Sequence, residues 1–324
     1  KDAVVLSAGE STKSWDVAHR LLTELLERGV ERRGTVVGVG GGVICDLVAF
    51  VASLYARGIG LVLIPTSLLA MVDAALGGKT GIDFGGYENM VGTFYPAERL
   101  LIAPEAVATL PAREYKSGLA ETIKTALLGD EELLMLLEEH REAVMAREPD
   151  VVEVMVSRCL AVKGSIASAD FREGSGLATN PGSPVSGTTH PVELSSTAPA
   201  STVHAGPGRA ALNLGHTFGH ALEAITAMNR FTHGEAVAWG IYRATLVSHS
   251  QGRCSEEYLR RIGDLLAAYG FELAIPGLDA DALIGAMYRD KKTAAGALRF
   301  VLQEGPGRQE LVTLTETEIR RVLA

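Results

Sequence analysis

Two six-residue runs, TVVGVG at 35–40 and GLVLIP at 60–65, flank a glycine triplet and a longer apolar stretch. No other feature restricts the fold as much. Both runs are short and rich in β-branched or large aliphatic residues, as buried strands are. Gly40, Gly41 and Gly42 break the first run. VICDLVAFVASLYARG (43–58) then reads as a helix with apolar residues on most faces, closed by Arg57-Gly58. Strand, glycine turn, helix, strand is a βαβ unit, which predicts a parallel sheet. SLLAMVDAALGG (67–78) reads as the next helix, and the opening KDAVVLSAG reads as a further strand with residues expected upstream of it.

After Pro104 the text changes. Amphipathic helical segments fill 115–170, 212–228, 235–250, 255–269 and 279–290. A chain of 324 residues can bury two cores. The expectation is therefore an α/β N-terminal Rossmann-like domain with a parallel sheet over 1–104, and an all-α C-terminal metal-binding domain over 105–324. The segment 175–208 is rich in Ser, Thr, Pro, Gly and Ala without period, and reads as a flexible insert. A net charge of −9 argues against a nucleic-acid partner. The apolar runs are too short to span a bilayer, so no membrane partner is expected. Cys45, Cys159 and Cys254 are dispersed with no CxxC pair, which suits a reducing cytoplasm and excludes a cysteine-rich zinc site.

The chemistry concentrates in LNLGHTFGHALEAITAMNRFTHGEAVAWG, residues 212–240. His216 and His220 stand at i and i+4 and share one helical face. His233 follows a short polar break. The chain has 8 histidines in all, so this clustering points to a metal or acid–base site. It is not the HExxH signature, because Thr217-Phe218-Gly219 separate the first pair. In SGLAETIKTALL (117–128), Glu121 and Lys124 lie one turn apart. They read either as a surface ion pair or, given the apolar neighbours, as a buried functional one. Glu121, His216 and His233 would together make a two-imidazole, one-carboxylate catalytic zinc set, although spacing does not bring them together. GVGGGVICD (38–46) offers a backbone that can approach a pyrophosphate at a helix N-terminus. Val43 stands where a third spaced glycine would be, so a tight turn without ligand is the alternative. Asp46, in the first turn of that helix, favours its dipole. Lys79 and Thr80 sit in the glycine-rich loop GGKTGIDFGGYEN (77–89), without Walker spacing.

These stretches resemble the 3-dehydroquinate synthase family of sugar-phosphate cyclases. The matching residues are GESTKS at 9–14, GGGVICD at 40–46, YARG at 55–58, IPTSLLAMVDAALGGKTGI at 64–82, ENMVGTF at 88–94, TLPARE at 109–114, SGLAETIK at 117–124, LNLGHTFGHALE at 212–223, THGEAVAWG at 232–240 and the DKK and RFVL segments at 290–302. They are collinear over nearly the whole chain.

The resemblance implies that Glu121, His216 and His233 hold zinc (or cobalt), and that His220 transfers protons. Lys79, Lys124, Asp73 and Asn89 would complete the catalytic set. Glu10, Lys13, Gly41, Gly42, Val43, Asp46, Thr66, Ser67, Asp73, Lys79, Thr109 and Leu110 would hold NAD. Lys163, Arg209, Asn213 and Lys291 would bind a carboxylate- and phosphate-bearing seven-carbon sugar. Arg57 would reach in from a second copy of the chain, which implies a homodimer. The implied reaction oxidises one carbon transiently with NAD, eliminates phosphate, returns the hydride and closes a ring by an intramolecular aldol step.

The chain departs from the pattern at several places, among them Cys45 where a glycine is common and an N-terminal strand that is expected upstream. Glu88 stands where a lysine is common, Phe171 follows Asp170 in place of an acidic residue, and the insert separates Glu173 from Arg209. The rival readings are a valiolone- or inosose-type cyclase, a metal-dependent polyol dehydrogenase and a non-catalytic remnant.

Overall fold

In the computed structural model, residues 3–169, 208–226, 230–290 and 298–323 are described. The insert with His190 and His204, and Lys291 with Lys292, lie outside the described residues. The chain divides into two compact units, one running to Thr109 and the other starting at Leu110.

In the first unit, α1 (Trp15–Glu27) starts at Ser14, whose hydroxyl accepts the Val17 amide at 3.4 Å. β1 (Thr35–Gly40) and β2 (Gly60–Pro65) have the expected bounds. They pair in parallel, with Thr35 opposite Gly60 and Gly40 opposite Pro65, across the connecting α2 (Gly42–Leu54). α2 is apolar nearly all round because it is covered on two sides. Cys45, Val48, Ala49 and Ala52 pack with Leu61 and Leu63 of the sheet, while Leu47, Phe50 and Val51 pack with Ala18 and Leu21 of α1.

Three expectations change in this unit. Residues 3–7 pair with no strand among the described residues. The helix expected over 67–78 is a short one whose turns widen to a π-helix at Ala70–Ala74, with Asp73 inside it. The glycine-rich loop at 77–89 contains an antiparallel hairpin, β3 (Ile82–Phe84) with β4 (Tyr87–Val91). Gly85 and Gly86 connect them, both at positive φ (63° and 81°), as a two-residue I′-type turn demands. β5 (Arg99–Leu100) adds a third parallel strand beside β2.

The second unit is helical: α3 (Ala112–Gly129), α4 (Glu131–Glu139), α5 (Arg141–Ala146), α6 (Pro149–Ala169), α7 (His216–Ile225), α8 (His233–Ser250), α9 (Glu256–Ala268), α10 (Ala280–Asp290) and α11 (Glu316–Leu323). One element goes beyond the sequence reading, an antiparallel hairpin of β6 (Arg299–Gly305) and β7 (Arg308–Thr313). It braces the helices that carry the candidate site. Phe300 of β6 stacks on Phe218 of α7 at 4.9 Å, and the Arg299 carbonyl accepts the Thr217 hydroxyl at 3.3 Å. The Gln303 amide donates to Ser248 of α8 at 3.0 Å. Gly307 and the Gln309 side chain both donate to the Leu127 carbonyl near the end of α3, at 3.0 and 2.9 Å.

Candidate active site

Each candidate ligand is delivered by a separate local device. On α3, side chains from Ser117 to Leu128 are buried, so an acid placed there has no route to solvent. Glu121 is 0 % and Lys124 1 % exposed, and they form an ion pair. The surface-pair reading is thereby replaced by the buried one. α7 starts at Gly215, whose φ of 79° lets the chain turn from the preceding 3₁₀ helix (Gly208–Asn213) into His216. α8 starts at Thr232, whose hydroxyl accepts the Glu235 amide while the Glu235 carboxylate accepts the Thr232 amide. That capping box makes His233 the first residue of its helix.

Two contacts clamp α8 onto α3. The Gly234 amide donates to the Ser117 hydroxyl at 3.0 Å, where any side chain at 234 would run into the Ser117 backbone. Glu235 takes Arg113 at 2.8 Å and Lys116 at 3.1 Å, both from the first turns of α3. α7 and α8 approach so closely that a side chain at Gly240 would collide with the Gly215 carbonyl.

The three devices converge. His216 Nε2 lies 3.7 Å and His233 Nε2 3.6 Å from the same Glu121 oxygen. Ligand atoms about 2.0–2.1 Å from a tetrahedral ion are about 3.3 Å apart, so this spacing is close to what such an ion needs. The outer nitrogens agree. His216 Nδ1 lies 3.1 Å from the Leu214 carbonyl, and His233 Nδ1 lies 3.2 Å from Glu223 Oε1. Both partners only accept, so both Nδ1 atoms donate and both Nε2 atoms turn toward Glu121. Buried carboxylate oxygens without a well-formed hydrogen bond among the described residues complete a donor set that fits a divalent cation.

Two of the three groups, Glu121 and His216, have the charge state a ligand needs. Burial alone would raise the Glu121 carboxyl, but Lys124, His233 and His216 outweigh it and hold it well below the usual range. Burial, then Lys124, hold His216 well below its usual value, so it stays a neutral ligand. Burial opposes the charge on His233, yet Glu121 and Glu223 together push it up to about 10, so it must give up its Nε2 proton to ligate an ion.

The His220 ring stands beside both, 5.3 Å from that of His216 and 6.0 Å from that of His233. Lys163 of α6 and Arg209 of the 3₁₀ helix are buried, and Asn213 is half-buried. That helix packs against α6 and α3, so residues on both sides of the insert return to one region.

In the first unit, Gly41 caps α2 without any side-chain hydrogen bond, and a Cβ there would press on the Ser67 hydroxyl at 3.3 Å. This leaves Gly42 and Val43 at an open helix N-terminus. Thr66 donates its amide to Gly40, and Ser67 Oγ accepts from Ala70. Asp46 lies beyond the first turn, which corrects the dipole reading. Its carboxylate instead takes the buried Lys13 ammonium at 2.6 Å. Burial opposes the charge on Lys13, but Asp46 outweighs it and raises its pKa. Glu10 lies 3.8 Å from the same ammonium.

Arg57 is exposed at a left-handed φ of 67°, and Asn89 is exposed at 51°. Lys79 is exposed and Asp73 half-buried. Thr109 is exposed at the end of its unit. The Leu110 carbonyl, in the second unit, accepts from Arg147 at 2.7 Å. The sequence reading gave no role to Glu223, Ser117 or Glu235. Glu223 was findable, because 216, 220 and 223 follow i, i+4, i+7 on one face.

The chain matches the N-terminal domain model of 3-dehydroquinate synthase over residues 3–117 and the C-terminal model over 118–179 and 204–293. It is 40 % identical over 323 residues to the 3-dehydroquinate synthase of Dichelobacter nodosus, covering 99 % of this chain and 79 % of that one. The enzyme of the same name from Dictyoglomus thermophilum is 36 % identical over 321 residues, covering 99 % and 81 %. Among solved structures, 2-epi-5-epi-valiolone synthase of Streptomyces hygroscopicus, with NAD+ and Zn2+ bound, superposes with a TM-score of 0.82 at 29 % identity, covering 98 % and 80 %. A 2-deoxy-scyllo-inosose synthase shares the fold with a TM-score of 0.77 at 23 % identity, covering 98 % and 80 %.

Proposed function

This chain belongs to the 3-dehydroquinate synthase family, and from that premise we propose that it converts 3-deoxy-D-arabino-heptulosonate 7-phosphate to 3-dehydroquinate and phosphate. The observation that carries the reading is the convergence of Glu121, His216 and His233 on one point in the second unit. NAD supplies reversible hydride acceptance, and a divalent ion, zinc or cobalt, lowers the pKa of a substrate hydroxyl.

The residues divide the remaining work. Glu121, His216 and His233 hold the ion. Lys124 keeps Glu121 ionised and offers a cation to the substrate. His220 moves the proton at the oxidised carbon, for which its place beside both ligand rings suits it. Lys163, Arg209 and Asn213 bind the anionic ends of the substrate, and Arg209 matches a carboxylate with two parallel donors. In the first unit, the uncapped start of α2 at Gly41, Gly42 and Val43 holds the NAD pyrophosphate. Glu10, Lys13, Asp46, Thr66, Ser67, Asp73, Lys79, Thr109 and Leu110 complete the cofactor contacts. Asn89 and Lys291 serve the substrate. A cytoplasmic homodimer, with Arg57 reaching the second copy, completes the reading. It is supported by the exposure of Arg57 and by three buried cysteines that form no disulfide.

The likeness to a valiolone synthase favours one rival, a cyclase acting on a ketose phosphate that lacks the carboxylate. Phosphate release with catalytic NAD and zinc should be fast with the carboxylate-bearing heptulosonate phosphate and weak with the seven-carbon ketose phosphate lacking it. The reverse preference would assign the chain to the rival.

A further inference from the structure

We propose that Glu223 is a positioning residue for the metal centre, fixing His233 in the tautomer and orientation in which its Nε2 can ligate the ion. The inference rests on the reading of Glu121, His216 and His233 as ligands. Glu223 is only 6 % exposed. Burying a carboxylate costs free energy unless a partner compensates it, and for a role confined to packing an apolar or amide side chain would be cheaper. Its Oε1 lies 3.2 Å from His233 Nδ1, while its Oε2 is buried with no hydrogen-bond partner among the described residues. The carboxylate is therefore committed to the histidine cluster, with His233 Nδ1 at hydrogen-bond distance and the His220 ring within 4.8 Å.

The two candidate histidines are held differently. His216 leans on a backbone carbonyl, that of Leu214, which α7 supplies at its own start. His233 is the first residue of α8, with one ring nitrogen toward Glu121 and the other toward Glu223. A carboxylate partner makes the ligating nitrogen a stronger donor than a carbonyl partner does. Glu223 also shares the α7 face of His216 and His220, so one helix supplies a ligand, the proton-transfer group and the brace for a ligand on the next helix. Glu223 itself touches neither the substrate nor the ion in this scheme.

The test is zinc affinity of the full chain, measured by competition with a chromophoric chelator, for the wild type, Glu223→Gln and His233→Ala. Gln keeps the size and one acceptor oxygen, so the fold should survive, with a metal-free melting temperature somewhat below that of the wild type because His233 loses its charged partner. The expected result is zinc binding about 10- to 100-fold weaker in Glu223→Gln. Unchanged affinity in Glu223→Gln, with clear loss in His233→Ala, would overturn the role of Glu223 alone. Unchanged affinity in both would overturn the ligand set itself. A second measurement needs no variant. Nitrogen-15 NMR of the zinc-loaded wild type should show His233 protonated at Nδ1 and ligated through Nε2, and the opposite tautomer would reject the proposal.

Discussion

Glu121 is stable as an anion only because of its neighbours, and this makes the residue scale testable without any substrate. Its side chain is fully buried, and Lys124 is the nearest fixed positive charge. Removing one partner of a buried pair leaves the other uncompensated. Lys124→Met should therefore lower the stability of the metal-free protein by about 3 kcal/mol. Added zinc should recover much of that loss, since the ion replaces the missing charge. Urea unfolding with and without zinc checks this, and equal losses in both conditions would contradict it. His220→Ala should retain zinc by elemental analysis yet lose turnover, because His220 moves protons and does not ligate. At this scale the sequence was informative where identity and spacing suffice: Glu121, His216, His220 and His233 stand out by type. It was silent where a role exists only through contact. Glu223 shows its part once α7 and α8 are packed together, and Asp46 is shown to serve Lys13 instead of a helix dipole.

The elements carry those side chains to one another, and the start of α8 is the critical joint. Glu235 closes the capping box and takes Arg113 and Lys116 of α3. Burial would raise its carboxyl, but Arg113, the Thr232 amide and Lys116 hold it down at about 2. A depressed carboxyl contributes stability in full above its unfolded value of about 4.3, and loses it as pH falls toward 2. Glu235→Gln should thus cost about 1–2 kcal/mol at pH 7, as for a lost cap with a charged partner, and the gap to wild type should narrow near pH 3. Chemical denaturation at both pH values tests the sign, and a gap that widens on acidification would refute it. Gly240→Ala should destabilise by about 2–3 kcal/mol, because its Cβ would meet the backbone of Gly215. Thermal unfolding reads this directly. β1, α2 and β2 were legible because their periodicity is local, and a buried parallel pair leaves an uninterrupted apolar run. The β6–β7 hairpin was not, since a short apolar run next to helical text is ambiguous until its partner strand is known. The opening run, which reads as a strand by composition, pairs with no strand among the described residues.

For the molecule as a whole, family membership follows from collinear motifs over nearly the full chain and from relatives 36–40 % identical, of whose own length the chain covers 79–81 %. The sequence reading put a boundary after Pro104, where the text changes; one compact unit runs to Thr109 and the other starts at Leu110. Substrate choice hangs on few residues. Arg209 is 2 % exposed and lies on the helix that leads to His216. Arg209→Leu should lower kcat/KM for the heptulosonate phosphate by about 2–4 kcal/mol of transition-state stabilisation, as for a buried charge pair broken on one side. Steady-state kinetics on the two seven-carbon phosphates would show whether the loss is confined to the substrate with the carboxylate. The central claim is a redox step that leaves no net oxidation, and the most direct measurement follows phosphate, dehydroquinate and NADH together, with NAD at a concentration far below that of the heptulosonate phosphate. The account predicts phosphate and dehydroquinate in equal amounts, over many turnovers per NAD, with no accumulation of NADH. NADH rising in step with substrate consumed, or no phosphate released from the zinc- and NAD-loaded protein, would contradict it.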